Sequence, residues 1–148
     1  MVRASFFPAE KKPVLNGDYD AWEEFYLKLE DECQDRFHSW LVRKGLSQYA
    51  QSFGFYAGFY LNFIYRYGHS DTTLLDRITY IDIEEFFLDH VLRKLMLEPN
   101  EYPDLPPAIK LLYQFLSEKG YMDDPSAIVN LLEEVEHEFI EILQQRYR

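Results

Sequence analysis

Two carboxylate and imidazole pairs are the residues best spaced to do chemistry: Glu134-x-x-His137 near the end of the chain and Asp35-x-x-His38 in its first third. On a helix this spacing sets a carboxylate and an imidazole on adjacent turns, the arrangement from which ferritin-like di-metal bundles are built. His137-Glu138-x-x-Glu141 approaches the zinc-protease pattern, but Glu141 stands where that pattern needs a second histidine. His69, Ser70 and Asp71 supply the side-chain types of a triad, yet adjacency in sequence does not arrange groups for proton transfer, and Ser70-Asp71 reads as turn and cap chemistry. Gly54-x-x-x-Gly58 lies inside a helical pattern and lacks the lysine of a phosphate-binding loop. A single cysteine, Cys33, excludes an internal disulfide and a multi-cysteine zinc site.

The elements that carry these residues decide what they can do. Asp18 or Asp20 opens a first helix in which Trp22, Phe25, Tyr26, Leu29, Cys33, Phe37 and Trp40 recur at spacings of three and four. It runs to about Lys44 and stops at Gly45. Ser47 caps a second helix whose broad aromatic face holds Tyr49, Phe53, Tyr56, Tyr60, Phe63, Ile64 and Tyr67, and these tyrosines are assigned to the core. Gly54 and Gly58 lie one turn apart on its other side, and with Ala50 they line a groove for close packing within the domain, a homodimer or ligand surface being the other outcome.

Asp82 and Glu85 form a capping pair for a third helix, where Phe86, Phe87, Leu88, Val91, Leu92 and Leu95 encircle the axis and predict the most buried element. After a loop over 98–103, Asp104 with Pro106 and Pro107 opens a fourth helix carrying Ile109, Leu112, Phe115 and Leu116 and ending at Gly120. Asp124-Pro125 opens a fifth helix with the stripe Ile128, Leu131, Leu132, Val135, Phe139, Ile142 and Leu143. At about 100° per residue, His137 points about 180° from that stripe and Glu134 roughly 120°. Asp35 and His38 stand similarly far from the first helix's stripe. Ligands of a bundle metal centre point inward, so neither a metal nor another cofactor is expected, and Cys33 is read as a buried thiol.

These patterns predict an all-α protein: an extended arm over 1–17, containing Phe6-Phe7, and one helical domain of about five helices over 18–148. No apolar run matches a membrane span, and the first residues lack a cleavable leader, which predicts a cytoplasmic protein with no membrane partner. The net charge of -11 is concentrated at the ends. Eight acids face one base between Asp18 and Asp35, and seven acids face none between Asp123 and Glu141. Between Arg36 and Lys94, seven bases balance six acids, so an anion-binding surface has to come from there.

The succession Trp40-Leu41-x-x-Lys44-Gly45-Leu46-Ser47, Phe59-x-x-Asn62-Phe63, Ile81-Asp82 and Ile109-x-x-Leu112-Tyr113-x-Phe115-Leu116-x-x-x-Gly120 resembles the SAM-like, core-binding helical domain of phage integrases and other tyrosine recombinases, over residues 20–125. The resemblance implies a DNA clamp without catalytic residues of its own, the family's catalytic arginines, histidine and tyrosine belonging to a separate carboxyl-terminal domain. It implies nucleic-acid or partner contacts by Arg43, Lys44 and Ser47 at the first turn, Gln48 and Gln51 on the second helix, and Lys110 on the fourth. The second helix, however, carries one base, Arg66 at its far end, where a DNA-facing helix needs several. The resulting expectation is a non-catalytic helical interaction module with acidic faces open to a basic protein partner, and a DNA-binding accessory protein as the alternative.

Overall fold

The computed structural model describes residues 19–66 and 78–147, with side chains at 24, 27–64 and 78–147. The arm expected over 1–17 and the His69-Ser70-Asp71 loop lie outside the described residues, as do Tyr67 and the side chains of Trp22, Phe25 and Tyr26. All regular structure in the described residues is helical.

Helix α1 (Tyr19–Arg43) buries Leu29, Cys33, Phe37 and Trp40, the spacing of three and four seen in the sequence. Asp20 lies within the helix, which removes it as a cap, and Asp18 is outside the described residues. The helix ends in a Schellman turn: the Leu46 N–H donates to the Leu41 carbonyl at 2.9 Å and the Gly45 N–H to the Val42 carbonyl at 3.1 Å. Gly45 takes a φ of 81°, the left-handed conformation that a side chain penalises. The three-residue turn returns the chain as α2 (Ser47–Arg66), antiparallel to α1.

Phe53, Tyr56, Tyr60, Phe63 and Ile64 of α2 are buried. Tyr49 is not: it is 40% exposed at the open end of the helix, stacked on Phe53 with ring centroids 5.1 Å apart, which corrects its assignment to the core. The buried surface of α2 is wider than its aromatic stripe, because Ala50, Gly54, Ala57 and Gly58 are buried too. Absence of bulk on that side lets α1 approach. A Cβ on Gly58 would overlap the Gln34 amide nitrogen and come within 3.1 Å of Gln34 Cδ and 3.3 Å of Glu30 Oε1. The groove expected around Ala50, Gly54 and Gly58 is the α1–α2 interface.

The third helix, α3, has an α-helical start (Tyr80–Glu85), a π-helical turn (Phe86–His90) and an α-helical end (Val91–Lys94). Its cap sits one turn earlier than the sequence reading placed it. Thr79 is the N-cap and Asp82 the third helical residue, with Asp82 Oδ2 accepting from the Thr79 N–H at 3.0 Å and its hydroxyl at 2.9 Å. The buried positions, Asp82 and Ile83, Phe86 and Phe87, His90 and Val91, repeat every four residues. A regular helix turns about 400° in four residues and would rotate this face away by about 40° per repeat. The wider π-helical turn absorbs that drift, with the Val91 N–H bonding to the Phe86 carbonyl five residues back. Phe86 then packs on Tyr60 and Phe63, and Phe87 on Phe139.

Tyr102 is buried and pins the return loop, donating its hydroxyl to the Leu95 carbonyl at 3.0 Å. A 3-10 turn (Tyr102–Asp104) leads into α4 (Leu105–Glu118) with its prolines in the first turn. Asp104 occupies the N-cap without a side-chain cap bond, so the prolines and the 3-10 turn start the helix, not an aspartate cap. Leu105, Ala108, Ile109, Leu112, Tyr113, Phe115 and Leu116 are all buried. This helix, and not α3, is the most buried, because it lies against α1, α2 and α5, while Leu88 and Leu92 of α3 and Leu95 just after it are only half-covered. A second Schellman turn ends it, with Gly120 at a φ of 79° and the Tyr121 N–H 2.8 Å from the Leu116 carbonyl. Asp124 then accepts the Ser126 N–H (3.0 Å) and hydroxyl (2.6 Å) and opens α5 (Ser126–Arg146). Ile128, Leu132, Val135, Phe139 and Leu143 are its buried stripe, with Leu131 and Ile142 at the margins.

Candidate functional site

The orientation worked out for the carboxylate and imidazole pairs is the one observed. Glu134 and His137 are exposed on the outer side of α5, and Asp35 and His38 are exposed on α1. His137 Nε2 lies 3.9 Å from Glu141 Oε1 on the next turn. These groups face water on separate helices, and among the described residues no three His, Cys, Asp or Glu side chains are grouped to hold a metal ion. Cys33 has no exposed surface, and burial, with Glu30 adding to it and Arg36 opposing, drives its thiol far above the ordinary range. It has the environment of an inert core thiol, not of a nucleophile.

Of the six contact positions, the α1–α2 corner gathers five: Arg43, Lys44, Ser47, Gln48 and Gln51, all exposed. Lys44 is engaged. Its Nζ lies 3.0 Å from Glu118 Oε1 at the end of α4 and 5.5 Å from the Trp40 ring centroid. Its hydrogen bond holds the Glu118 carboxyl below the usual range. Lys110 stands apart, two turns or about 12 Å up the axis of α4 from Glu118. It joins Glu136 of α5 at 2.8 Å, and so ties α4 to α5.

Arg43 borders a cleft of about 290 Å³ between the C-terminal ends of α1 and α4. Arg36, Ser39 and Arg43 present one face of α1, Lys119 enters from the turn after α4, and Phe115 and Tyr121 supply aromatic walls. Arg36 Nη1 donates to the Tyr121 hydroxyl at 2.7 Å. Arg36 and Lys119 were not among the sequence candidates. The spacing of Arg36, Ser39 and Arg43, three and four residues apart, contained half of the signal; Lys119 joins them only because α4 ends beside α1.

A second surface combines charge and apolar area. At the start of α3, Tyr80 is 37% and Ile81 58% exposed. Tyr80 is held neutral beyond the ordinary phenol range, first by local desolvation and then by the carboxylates of Glu84, Glu138 and Glu134 around it. Glu84 comes from α3 and the other two from the outer face of α5, so the packing of these helices assembles a patch that neither carries alone.

Fold and surfaces together define a single compact all-α domain with one acidic, partly apolar face and one small basic cleft, and no described helix is long and apolar enough to cross a membrane. No family model, no curated protein and no solved structure matches the chain.

Proposed function

We propose that the chain is a non-catalytic helical interaction module, a recombinase-type helical domain turned to protein contacts in the cytoplasm, whose α3–α5 face binds a basic partner. The observation that carries this reading is Tyr80 and Ile81, exposed among Glu84, Glu134 and Glu138. Exposed apolar side chains ringed by one sign of charge offer burial to a partner's apolar residues and attraction to its lysines and arginines. The water-facing positions of Glu134 and His137 support the same reading, since they leave the carboxylates available to a partner.

A lysine-rich amphipathic peptide with leucine at every third or fourth position, labelled for fluorescence anisotropy, tests it. Binding is expected at low ionic strength, weakening with salt, and lost in Glu134→Lys/Glu138→Lys and in Ile81→Ser. Equal binding by the charge-reversed variant, or none by the native chain in low salt, refutes the reading.

One observation favours a second reading, a DNA-binding accessory protein: Arg43 shares its cleft with Arg36 and Lys119. Duplex binding that falls steeply with salt and disappears in Arg43→Ala/Lys44→Ala would establish it. Absence of binding at low salt would end it.

A further inference from the structure

We infer that the solvent-facing side of α2 binds a second copy of this chain, forming a two-fold dimer through a surface separate from the acidic face assigned to a basic partner. Residues 47–65 hold no charged side chain, in a chain whose net charge is -11. Gln48, Gln51, Ser52 and Phe55 are exposed and Phe59 and Asn62 half-buried, and their helical spacing sets them on one face. Phe55 is 59% exposed and packs edge to face on Phe59, with ring centroids 4.8 Å apart. From Gln48 to Asn62, a rise of about 1.5 Å per residue makes this strip about 21 Å long.

Charge selects the occupant. The outer faces of the two longest helices carry exposed acids, among them Asp31 and Asp35 on α1 and Glu134 and Glu138 on α5, so two copies meeting there set carboxylate against carboxylate. The carboxylates that border the α2 strip are engaged within the chain. Glu30, beside Gly58, accepts from the Gln34 amide, and Glu101, on the other flank, accepts from the Tyr56 hydroxyl and the Glu98 N–H. Arg66 follows Asn62 by one turn, its side chain outside the described residues. A basic protein or a nucleic acid gains no ionic contact from an uncharged strip. A second copy is matched to it, because across a two-fold axis a surface meets itself. Amides and hydroxyls both donate and accept, so Gln48, Gln51, Ser52 and Asn62 can bond to their own counterparts, as carboxylates or ammonium groups cannot. Phe55 and Phe59 meet the same two rings.

Size and charge set the strength of this contact. A strip about 21 Å by about 10–12 Å is at the low end of specific interfaces, which predicts a reversible dimer with a Kd of about 10–100 μM. Two chains of charge -11 repel, and salt screens that repulsion while leaving the uncharged contact intact. Dimerisation therefore strengthens with ionic strength, the opposite sign to peptide binding at the acidic face.

Sedimentation equilibrium of the full chain, from about 10 μM to about 500 μM and at low and high sodium chloride, tests the inference. A monomer and dimer equilibrium that tightens with salt is expected. Phe55→Gln removes a ring from each side of the contact and should weaken dimerisation at least about tenfold, and Phe55→Glu, which sets like charges together, should abolish it. Ile81→Ser, on the acidic face, should leave it unchanged. Phe55 is exposed, and unchanged circular dichroism in dilute solution confirms that its variants fold. The inference is overturned by a monomer at every concentration and salt, by undiminished association in Phe55→Glu, by loss of association in Ile81→Ser, or by association that weakens with salt. Dimerisation seen only in Phe6→Ser/Phe7→Ser would also overturn it, assigning the strip to the segment over 1–17.

Discussion

Alanine at Gly54 and at Gly58 should have opposite consequences, although both glycines lie on the same buried side of α2, one turn apart. Each substitution gains helix propensity, about 0.8–1 kcal/mol. At Gly54 nothing offsets the gain: the nearest atom to an added Cβ is the Gln34 carbonyl oxygen at 4.0 Å, an ordinary contact. Gly54→Ala should therefore stabilise by about 1 kcal/mol, or ~3 °C in Tm for a chain of this size. At Gly58 the added Cβ displaces the Gln34 amide, which bonds to Glu30 Oε1 at 3.2 Å. Losing that part-buried bond costs about 0.5–1.5 kcal/mol, and the shift of the side chain adds to it. Gly58→Ala should come out between neutral and about 1 kcal/mol destabilising. Since the overlapping atoms belong to Gln34, with Glu30 Oε1 a tight but lesser neighbour at 3.3 Å, Gly58→Ala in a Gln34→Ala background should recover most of the propensity gain. Urea unfolding followed by helical circular dichroism measures all four variants. Equal stabilisation by the two alanines, or no rescue by Gln34→Ala, would refute the reasoning.

Two further outcomes follow from buried polar groups. The hydroxyls of Tyr60 and Tyr113, both rings wholly buried, lie 2.7 Å apart; Tyr60→Phe and Tyr113→Phe should each cost about 1–2 kcal/mol, and the double variant should cost less than their sum in a denaturant-based mutant cycle. His90 is packed against Phe63 and Phe86, with centroids 4.9 and 6.0 Å away, and its pKa is lowered from the ordinary 6.5, first by burial and then by Arg93 and Lys94, with Asp89 opposing. The unfolded chain therefore binds the proton more readily, so the contribution of neutral His90 is complete above about pH 6.5 and is lost as pH falls through its lower folded value. Thermal melts between pH 7 and pH 5 should show this slope in the native chain and a shallower one in His90→Phe; parallel slopes would contradict it.

Much of this architecture was legible in the residues themselves. Where a helix starts and stops depends on local chemistry: glycine at 45 and 120 supplies the left-handed residue of a Schellman turn, and Asp124 reaches Ser126 two residues away. The stripes of α1 and α5, and with them the outward orientation of His38 and His137, follow from 3.6 residues per turn. The misplacements have a common origin. Tyr49 has the right phase for the core but sits beyond the end of its neighbours, and α3 looks hydrophobic all round because its apolar residues serve two partners through a π-helical turn that no single-helix period describes.

The surfaces divide in the same way. Sequence alone determined the net acidity, the sites of the helices and the cluster of contact residues at the first turn, because each is set by neighbours along the chain. Tertiary structure decided that Lys44 is tied to Glu118, that Lys110 belongs to the α4–α5 seam, that Lys119 faces Arg43 across a cleft, and that Tyr80 stands among carboxylates of α5. Those pairings join residues 26 to 76 positions apart. No local periodicity encodes them; they follow from how buried faces of different helices pack together and so fix which outer faces become neighbours.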